Sequence, residues 1–157
     1  MSRSASARRP AGHAAPGLQA RRLALLALFE AEFGAVPAVT ALERLASERA
    51  TDPEALDHAR RIVSGVAARQ DEIDARIARE APEIPVAELG RVERTIMRSA
   101  LFEVLYSAAA PSGEAIRDAV ALARIYAGDP GRRLINGVLG SVSRSSGGAG
   151  WRRPTTD

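Results

Sequence analysis

The chain of 157 residues has no cysteine, no lysine and few aromatic residues. Without cysteine it can form neither disulfides nor thiolate metal sites, a composition typical of a reducing cytoplasm. Aromatic residues make up 4% of the chain, so alanine and aliphatic side chains must build the core. The longest uncharged run, residues 10–20, contains two prolines and falls well short of the ~20 apolar residues of a membrane span. These absences predict a soluble, cytoplasmic protein.

All 22 basic residues are arginine, and they are unevenly placed. Residues 1–29 hold five arginines and no acid, whereas the chain from Glu30 onward has 17 arginines against 19 acidic residues. The planar guanidinium suits phosphate and base stacking, but a genome-wide codon bias explains the absence of lysine more simply. The concentration of charge at the N-terminus is therefore more informative than the net charge of +3.

Both ends of the chain have the composition of unstructured segments. Residues 1–19 are rich in Ser, Ala, Arg, Pro and Gly and have too little apolar surface to order themselves, which predicts a disordered basic arm. A transit peptide is the alternative, but such segments are usually longer and more clearly amphipathic. Residues 144–157 are predicted to form a flexible tail, and the sequence assigns no role to Trp151.

Apolar residues recurring at three- and four-residue steps predict an all-α protein without strands. The predicted helices cover residues 21–33, about 39–49, a long stretch after Thr51, a stretch around 89–105, and two C-terminal segments separated by Gly128-Asp129-Pro130-Gly131, the last of which opens with Arg132 and Arg133. Thr51 and Glu54 fit a capping box at the start of the long helix. Its apolar repeat, which includes Gln70, predicts a packing seam along the whole helix.

Pro82 and Pro85 interrupt the helical pattern after this long helix. We predict one helical domain over residues 20–143, made of two small bundles packed together. The bundles would span about 20–81 and 86–143.

No catalytic constellation is recognisable. Of the two histidines, His13 lies in the arm, and His58 is interpreted as a solvated surface residue because no nucleophile or metal ligand has a suitable spacing from it. Phosphate loops and nucleophile elbows are absent. Acids beside arginines are explained as surface ion pairs. The sequence predicts a protein that is not an enzyme and needs neither metal nor cofactor.

Arginines at two places favour RNA binding. The basic arm leads directly into the first helix, so a mobile polycation meets a rigid surface there. Arg132 and Arg133 open the last helix, where backbone amides and the helix dipole attract phosphate, although a solvated helix start explains them equally well. Phe29 is more simply a core residue than a base-stacking one, because the first helix is apolar on nearly every side.

From about Gln19 to Val142 the chain resembles the NusB family of bacterial transcription antitermination factors. The matching segments are Ala20-Arg21-Arg22-Leu23-Ala24, Ala27-Leu28-Phe29, Ile73-Asp74, Val92-Glu93-Arg94-Thr95-Ile96-Met97-Arg98, Ala100-Leu101-Phe102-Glu103, and the stretch from Ala115-Ile116 through Asn136-Gly137-Val138-Leu139. Their shared order and spacing are more specific than any single segment. The resemblance implies two packed helix bundles and a non-catalytic role. The protein would bind BoxA-type RNA together with the ribosomal protein NusE, within an RNA polymerase antitermination complex that supports ribosomal RNA transcription.

The resemblance also implies roles for individual residues. The positions expected to contact RNA are Arg8, Arg9, Arg21, Arg22, Phe29, Glu93, Arg132 and Arg133. Among them, Phe29 takes the place of a family aromatic near the RNA and partner surface, and Glu93 takes that of an acid on the same face. Arg132 and Arg133 take the place of the family's basic loop before the last helix.

The chain departs from the family pattern at Arg117-Asp118 in place of Asn-Glu, at Leu134 in place of an aromatic and at Gly140 in place of an acid. The change at 134 removes a stacking partner for RNA. The preferred RNA sequence and its affinity are therefore left open, as is the choice between monomer and homodimer.

The alternative hypothesis is a freestanding NusB-like protein-interaction module, related to the accessory domains of RNA methyltransferases. It would work through protein contacts alone. No methyltransferase cofactor motif is present, which favours the RNA-binding hypothesis. Deletion of residues 1–18 would separate the two, since only the RNA-binding hypothesis predicts weaker RNA binding.

Overall fold

The structure, a computed structural model, describes residues 16–107 and 112–145, and in these segments it contains six α-helices and no strand. The helices are α1 (Pro16–Ala31), α2 (Ala38–Glu48), α3 (Pro53–Glu80), α4 (Arg91–Tyr106), α5 (Ser112–Tyr126) and α6 (Asp129–Ser145). A short 3-10 turn, Val86–Glu88, precedes α4. The prediction of an all-α protein is confirmed. Most of the predicted arm and tail, including Arg8, Arg9 and Trp151, lies outside the described residues.

Buried apolar side chains form two adjoining clusters. One lies between α1, α2 and the N-terminal half of α3, and the other between the C-terminal half of α3, α4, α5 and α6. The division falls inside α3, because Val66 belongs to the first cluster and Ile73 to the second. Phe102 on α4 packs against both clusters. The two small bundles therefore share α3 and Phe102, which joins them along a common apolar surface.

The start and the middle of α3 differ from the prediction. The capping box predicted from Thr51 is wrong: the Asp52 carboxylate accepts the backbone N–H of Glu54 at 2.9 Å, so Asp52 is the N-cap. Within α3, Arg69 has non-helical angles of φ −125° and ψ 20°. Gln70, predicted as a seam position, directly follows this break and is exposed.

The first helix begins earlier than predicted. It starts at Pro16, a residue type that suits the first turn of a helix because it has no N–H to leave unpaired. Leu18 packs against the second apolar cluster, so residues 16–19 belong to the folded body and their assignment to the arm is wrong. The helix ends at Ala31, and Gly34 follows with a left-handed φ of 76°.

The last helix is longer than predicted at both ends. It begins at Asp129, because Pro130 fits a first helical turn, so the prediction that Arg132 and Arg133 open it is wrong by three residues. It continues to Ser145, whose hydroxyl accepts from Arg76 Nη2 at 2.6 Å. Residues 144 and 145 are thus helical, although they were assigned to the tail.

α3 and α4 approach each other closely at Gly65. A Cβ added at Gly65 would lie 2.1 Å from ring atoms of Phe102, far inside van der Waals contact. Since Phe102 is wedged between the two clusters, its ring has little room to move away. The glycine is required by this helix contact.

We expect Gly65→Ala to lower the free energy of unfolding by about 1–3 kcal/mol, because the new methyl group must displace the Phe102 ring. Urea denaturation followed by circular dichroism measures the change. Gly137→Ala is the matched control, because Gly137 lies on the exposed face of α6 and a Cβ there meets no atom within 4 Å. It should raise stability by roughly 0.5–1 kcal/mol. Equal stability of Gly65→Ala and the wild type would contradict the close helix contact.

Candidate nucleic-acid interface

Arg21, predicted to contact RNA, lies inside the protein, with only 5% of its side chain exposed. Its Nε and Nη2 donate to the two carboxylate oxygens of Glu103 at 2.8 and 3.1 Å. Its Nη1 donates to Asp118 at 2.7 Å. This bidentate geometry is the strongest form of an arginine–carboxylate contact. It ties α1 to α4 and α5.

His58 completes this buried network. Its Nε2 lies 2.7 Å from Glu103 Oε1, and its side chain is 16% exposed. The interpretation of His58 as a solvated surface residue is therefore wrong. Its partner stands 45 residues away, so no local pattern in the sequence reveals the contact.

The charges in the network compensate one another. Burial is the strongest influence on Glu103 and raises the pKa of its carboxyl, but hydrogen bonds from His58 and Arg21 outweigh burial and hold that pKa below its ordinary value of 4.5. Burial lowers the pKa of the Arg21 guanidinium, yet Glu103 and Asp118 together raise it overall. Both groups stay ionised. Because all three guanidinium nitrogens of Arg21 are occupied, the geometry argues against a direct phosphate contact by this residue.

Arg22 and Phe29 lie partly exposed on α1. The Nε of Arg22 is buried without a hydrogen-bond partner among the described residues. Phe29 packs edge-to-face against Phe33, with ring centroids 5.2 Å apart. Phe29 is thus neither fully in the core nor free on the surface, and its role toward RNA stays a prediction.

Glu93, Arg132 and Arg133 come together where α4 and α6 begin. The Glu93 carboxylate lies against Gly131, where an added Cβ would be 2.5 Å from Glu93 Oε1, so the glycine makes room for it. Arg132 Nη2 lies 3.4 Å from Asp129 in the same turn. Arg133 is exposed and has no carboxylate partner in the described part of the chain. Its charge is available to a ligand.

The structure therefore divides the predicted RNA-contact residues between two places. Arg21 and Arg22 lie near the start of α1, whereas Phe29 lies toward the other end of this 16-residue helix, which is about 24 Å long. Phe33 lies just beyond α1. The guanidinium of Arg91, in the first turn of α4, lies over the Phe33 ring, 4.7 Å from the ring centroid. The end of α1 and the first turns of α4 and α6 thus form one region.

Sequence reasoning missed Phe33 and Arg91 in this region. Phe33 stands four residues after Phe29, a spacing that places two side chains on one face of a helix, so a signal for it was available. No sequence signal indicated Arg91, because its contact with Phe33 joins residues that are far apart in sequence. Within residues 16–107 and 112–145, no cluster of three His, Cys, Asp or Glu side chains could hold a metal ion, and no helix has the length and apolar character needed to cross a membrane.

A model of the NusB family matches residues 18–144. The transcription antitermination protein NusB of Desulforamulus reducens is 35% identical over 124 residues, which cover 79% of this chain and 87% of that protein. NusB of Dehalococcoides mccartyi (strain CBDB1) is 34% identical over 127 residues, covering 81% of this chain and 89% of that protein. Against the 35% identical NusB of Heliobacterium modesticaldum, the chain spans only 61% of the relative's length. The chain belongs to the NusB family.

Solved structures agree with this assignment. NusB of T. maritima superposes with a TM-score of 0.77 at 26% identity, covering 84% of this chain and 93% of that one. A chain from the crystal structure of antitermination factors NusB and NusE in complex with dsRNA gives a TM-score of 0.75 at 23% identity, covering 83% and 97%, and shows the shared fold. The NusB-like helical fold is confirmed. The family consists of non-catalytic factors, so the chain is not an enzyme.

We expect Glu103→Gln to lower the free energy of unfolding at neutral pH by about 3–5 kcal/mol, because it leaves the buried Arg21 charge with Asp118 alone. Urea unfolding measures the loss. The matched control is Glu43→Gln, since Glu43 holds Arg60 in the same bidentate way, at 2.7 and 3.0 Å, but on the surface. Solvent screens that pair, and little change is expected.

The difference between wild type and Glu103→Gln should also shrink on acidification. The pKa of Glu103 is lower in the folded chain than in the unfolded chain, so its stabilisation is complete above about pH 4.5 and is lost as the pH falls through the folded value. A difference that stayed constant down to about pH 3 would contradict an ionised Glu103 as the source of the stability.

Proposed function

We propose that this protein is a bacterial transcription antitermination factor that binds single-stranded BoxA-type RNA together with a NusE-like ribosomal protein. It would act in an RNA polymerase antitermination complex in the cytoplasm and support ribosomal RNA transcription. The observation that carries the proposal is the family match over residues 18–144, with relatives named transcription antitermination protein NusB. A protein of the same fold in a complex of NusB, NusE and dsRNA supports RNA as the class of ligand and a NusE-like protein as the partner.

Two sets of arginines support RNA as the ligand. Arg8 and Arg9 belong to an N-terminal segment without any acidic residue, which gives phosphate affinity without sequence preference. Arg132 and Arg133 lie in the first turns of α6, where the helix dipole and unpaired backbone N–H groups also attract phosphate. The two sets would hold the RNA backbone at two separate places.

Glu93 has a different role in this proposal. A carboxylate accepts hydrogen bonds and repels phosphate, so beside Arg132 and Arg133 it suits the amino groups of bases. It would contribute to the choice of sequence, while the arginines contribute affinity.

Arg21 acts in this proposal by positioning α1. Its contacts with Glu103 and Asp118 fix the place where the arm joins the folded body. Arg22, the next residue and partly exposed, is the better candidate for direct contact with phosphate.

The test is a titration of a short fluorescently labelled BoxA-like RNA with the full-length protein, with and without the NusE-like partner, at a series of salt concentrations. We expect partner-enhanced binding whose log–log salt slope is about −0.7 per phosphate neutralised. Arg132→Gln/Arg133→Gln should weaken binding and make the slope shallower by about 1.4, since two contacts are lost. Arg8→Gln/Arg9→Gln should act in the same way.

The matched control is Arg79→Gln/Arg144→Gln, which removes the same charge from exposed positions in the last turns of α3 and α6. It should leave the slope unchanged. Substitution in the arm is preferable to deletion of residues 1–18, because that deletion would remove Leu18 from the apolar cluster. If the wild type bound no RNA even with the partner present, the protein would be a protein-interaction module and the proposal would fail.

A further inference from the structure

An open hollow lies at the C-terminal end of α1, beside α2. It has a volume of about 290 Å³ and is lined by Leu26, Phe29, Glu30, Phe33, Leu45 and Arg49. Phe33 is 58% exposed, among the most exposed of the large apolar side chains in the described part of the chain. We call this site the Phe33 hollow. An aromatic ring held in a fixed orientation by Phe29 and left open to solvent is a platform for a flat ligand.

Two arginines border the Phe33 hollow. Arg49 lines it directly, and Arg91 lies over the Phe33 ring, 4.7 Å from its centroid. Neither guanidinium has a carboxylate partner among the described residues, and both are exposed. The one acid in the hollow, Glu30, is bonded to Arg44. The hollow therefore combines an exposed aromatic ring with two uncompensated positive charges.

A second aromatic cluster, at the other end of α4, shows which part of this arrangement is distinctive. There Arg69 lies 4.3 Å from the Tyr106 ring centroid, and Tyr106 stacks on Phe102. However, Glu72 accepts from both the Arg69 guanidinium, at 3.2 Å, and the Tyr106 hydroxyl, at 3.1 Å. The Tyr106 cluster thus also contains two aromatic rings and an arginine, but the charge of that arginine is paired with Glu72. Of these two aromatic clusters in the described residues, the Phe33 hollow is the one that offers unpaired charge to an anionic ligand.

We propose that the Phe33 hollow binds an unpaired base of single-stranded RNA, with Arg49 and Arg91 holding the flanking phosphates. The base stacks on the exposed part of the Phe33 ring, because every base has a π-face that an aromatic side chain accepts. Two guanidinium groups without carboxylate partners create a positive field, which favours a polyanion such as RNA over an apolar surface. The proposal rests on the proposed function and adds Phe33, Arg49 and Arg91 to the RNA-binding residues.

The hollow also lies in the path that the other predicted contacts define. Arg91 and Glu93 belong to the same first turn of α4, and Glu93 lies against Gly131 at the start of α6. An RNA strand held by Arg133 could therefore continue past α4 to the Phe33 hollow without crossing the buried network around Arg21.

The test measures RNA affinity and salt slope for full-length variants without the partner. The affinity of the wild type and of Phe33→Ala for the NusE-like partner is measured separately. We expect Phe33→Ala to weaken binding roughly ten-fold with an unchanged slope, since stacking releases no counterions. Phe33→Tyr, which keeps the ring, should bind like the wild type. Arg49→Gln/Arg91→Gln should make the slope shallower by about 1.4. The matched control Tyr106→Ala should leave both quantities unchanged. Thermal unfolding checks that each variant remains folded.

A direct readout comes from RNA carrying 5-iodouridine, irradiated in complex with the wild type. We expect a cross-link to the peptide that contains Phe33. If the wild type binds RNA but Phe33→Ala binds equally well and no such cross-link forms, the hollow is not an RNA site, while the proposed function stands. If Phe33→Ala weakens only binding of the NusE-like partner, the hollow docks a protein and the inference is overturned. If the wild type binds no RNA even with the NusE-like partner present, the proposed function itself fails.

Discussion

A bidentate ion pair between Arg21 and Glu103, buried where α1 crosses α4, holds the helices of this protein in one arrangement. Removing two charges from water is expensive, and the pair is tolerable only because every charged group in it has partners. His58 on α3 and Asp118 on α5 supply them. The network thus connects four helices that belong to both apolar clusters. Loss of one member leaves a buried charge with fewer partners, so the stability of each helix contact depends on the others.

The described arginines fall into two groups according to whether they are paired with a carboxylate. Some are neutralised inside the protein or in surface pairs: Arg21 by Glu103 and Asp118, and Arg98 by Glu32 and Asp74. Others, such as Arg49, Arg91 and Arg133, are exposed without a carboxylate partner in the described segments. A chain whose basic residues are all arginine can therefore use one side chain both for internal cohesion and for RNA. Burial and pairing, not residue type, determine which role each arginine takes.

Periodicity and family resemblance together predicted the all-α fold and the order of the helices, because apolar spacing records which face of each helix is buried. The finer errors have local causes. Asp52, not Thr51, caps α3, since either side chain could serve and only the backbone geometry decides. The break at Arg69 could not be predicted, because no proline or glycine stands at that position. The apolar pattern therefore predicts the position of each helix to within a few residues, but not its exact ends or its internal breaks.

The candidate site was harder to predict, because its geometry depends on contacts between distant residues. In the sequence, Arg21 and Arg22 look alike, and only the tertiary arrangement places one of them against Glu103, 82 residues away. His58 was misread for the same reason. In contrast, Arg133 could be identified as a candidate because its place at a helix start is a local property. Phe33 could have been found from its four-residue spacing to Phe29.

The central claim is that RNA lies along the end of α1 and the first turns of α4 and α6, and that Arg21 holds the body together from within. Amide hydrogen exchange of the full-length protein, with and without saturating BoxA-like RNA, tests it most directly. The account predicts that RNA slows exchange in peptides covering residues 26–34, 90–94 and 129–134, and leaves the Tyr106 end of α4 unchanged. Protection confined to α3 or to the Tyr106 end of α4, with RNA fully bound, would contradict it.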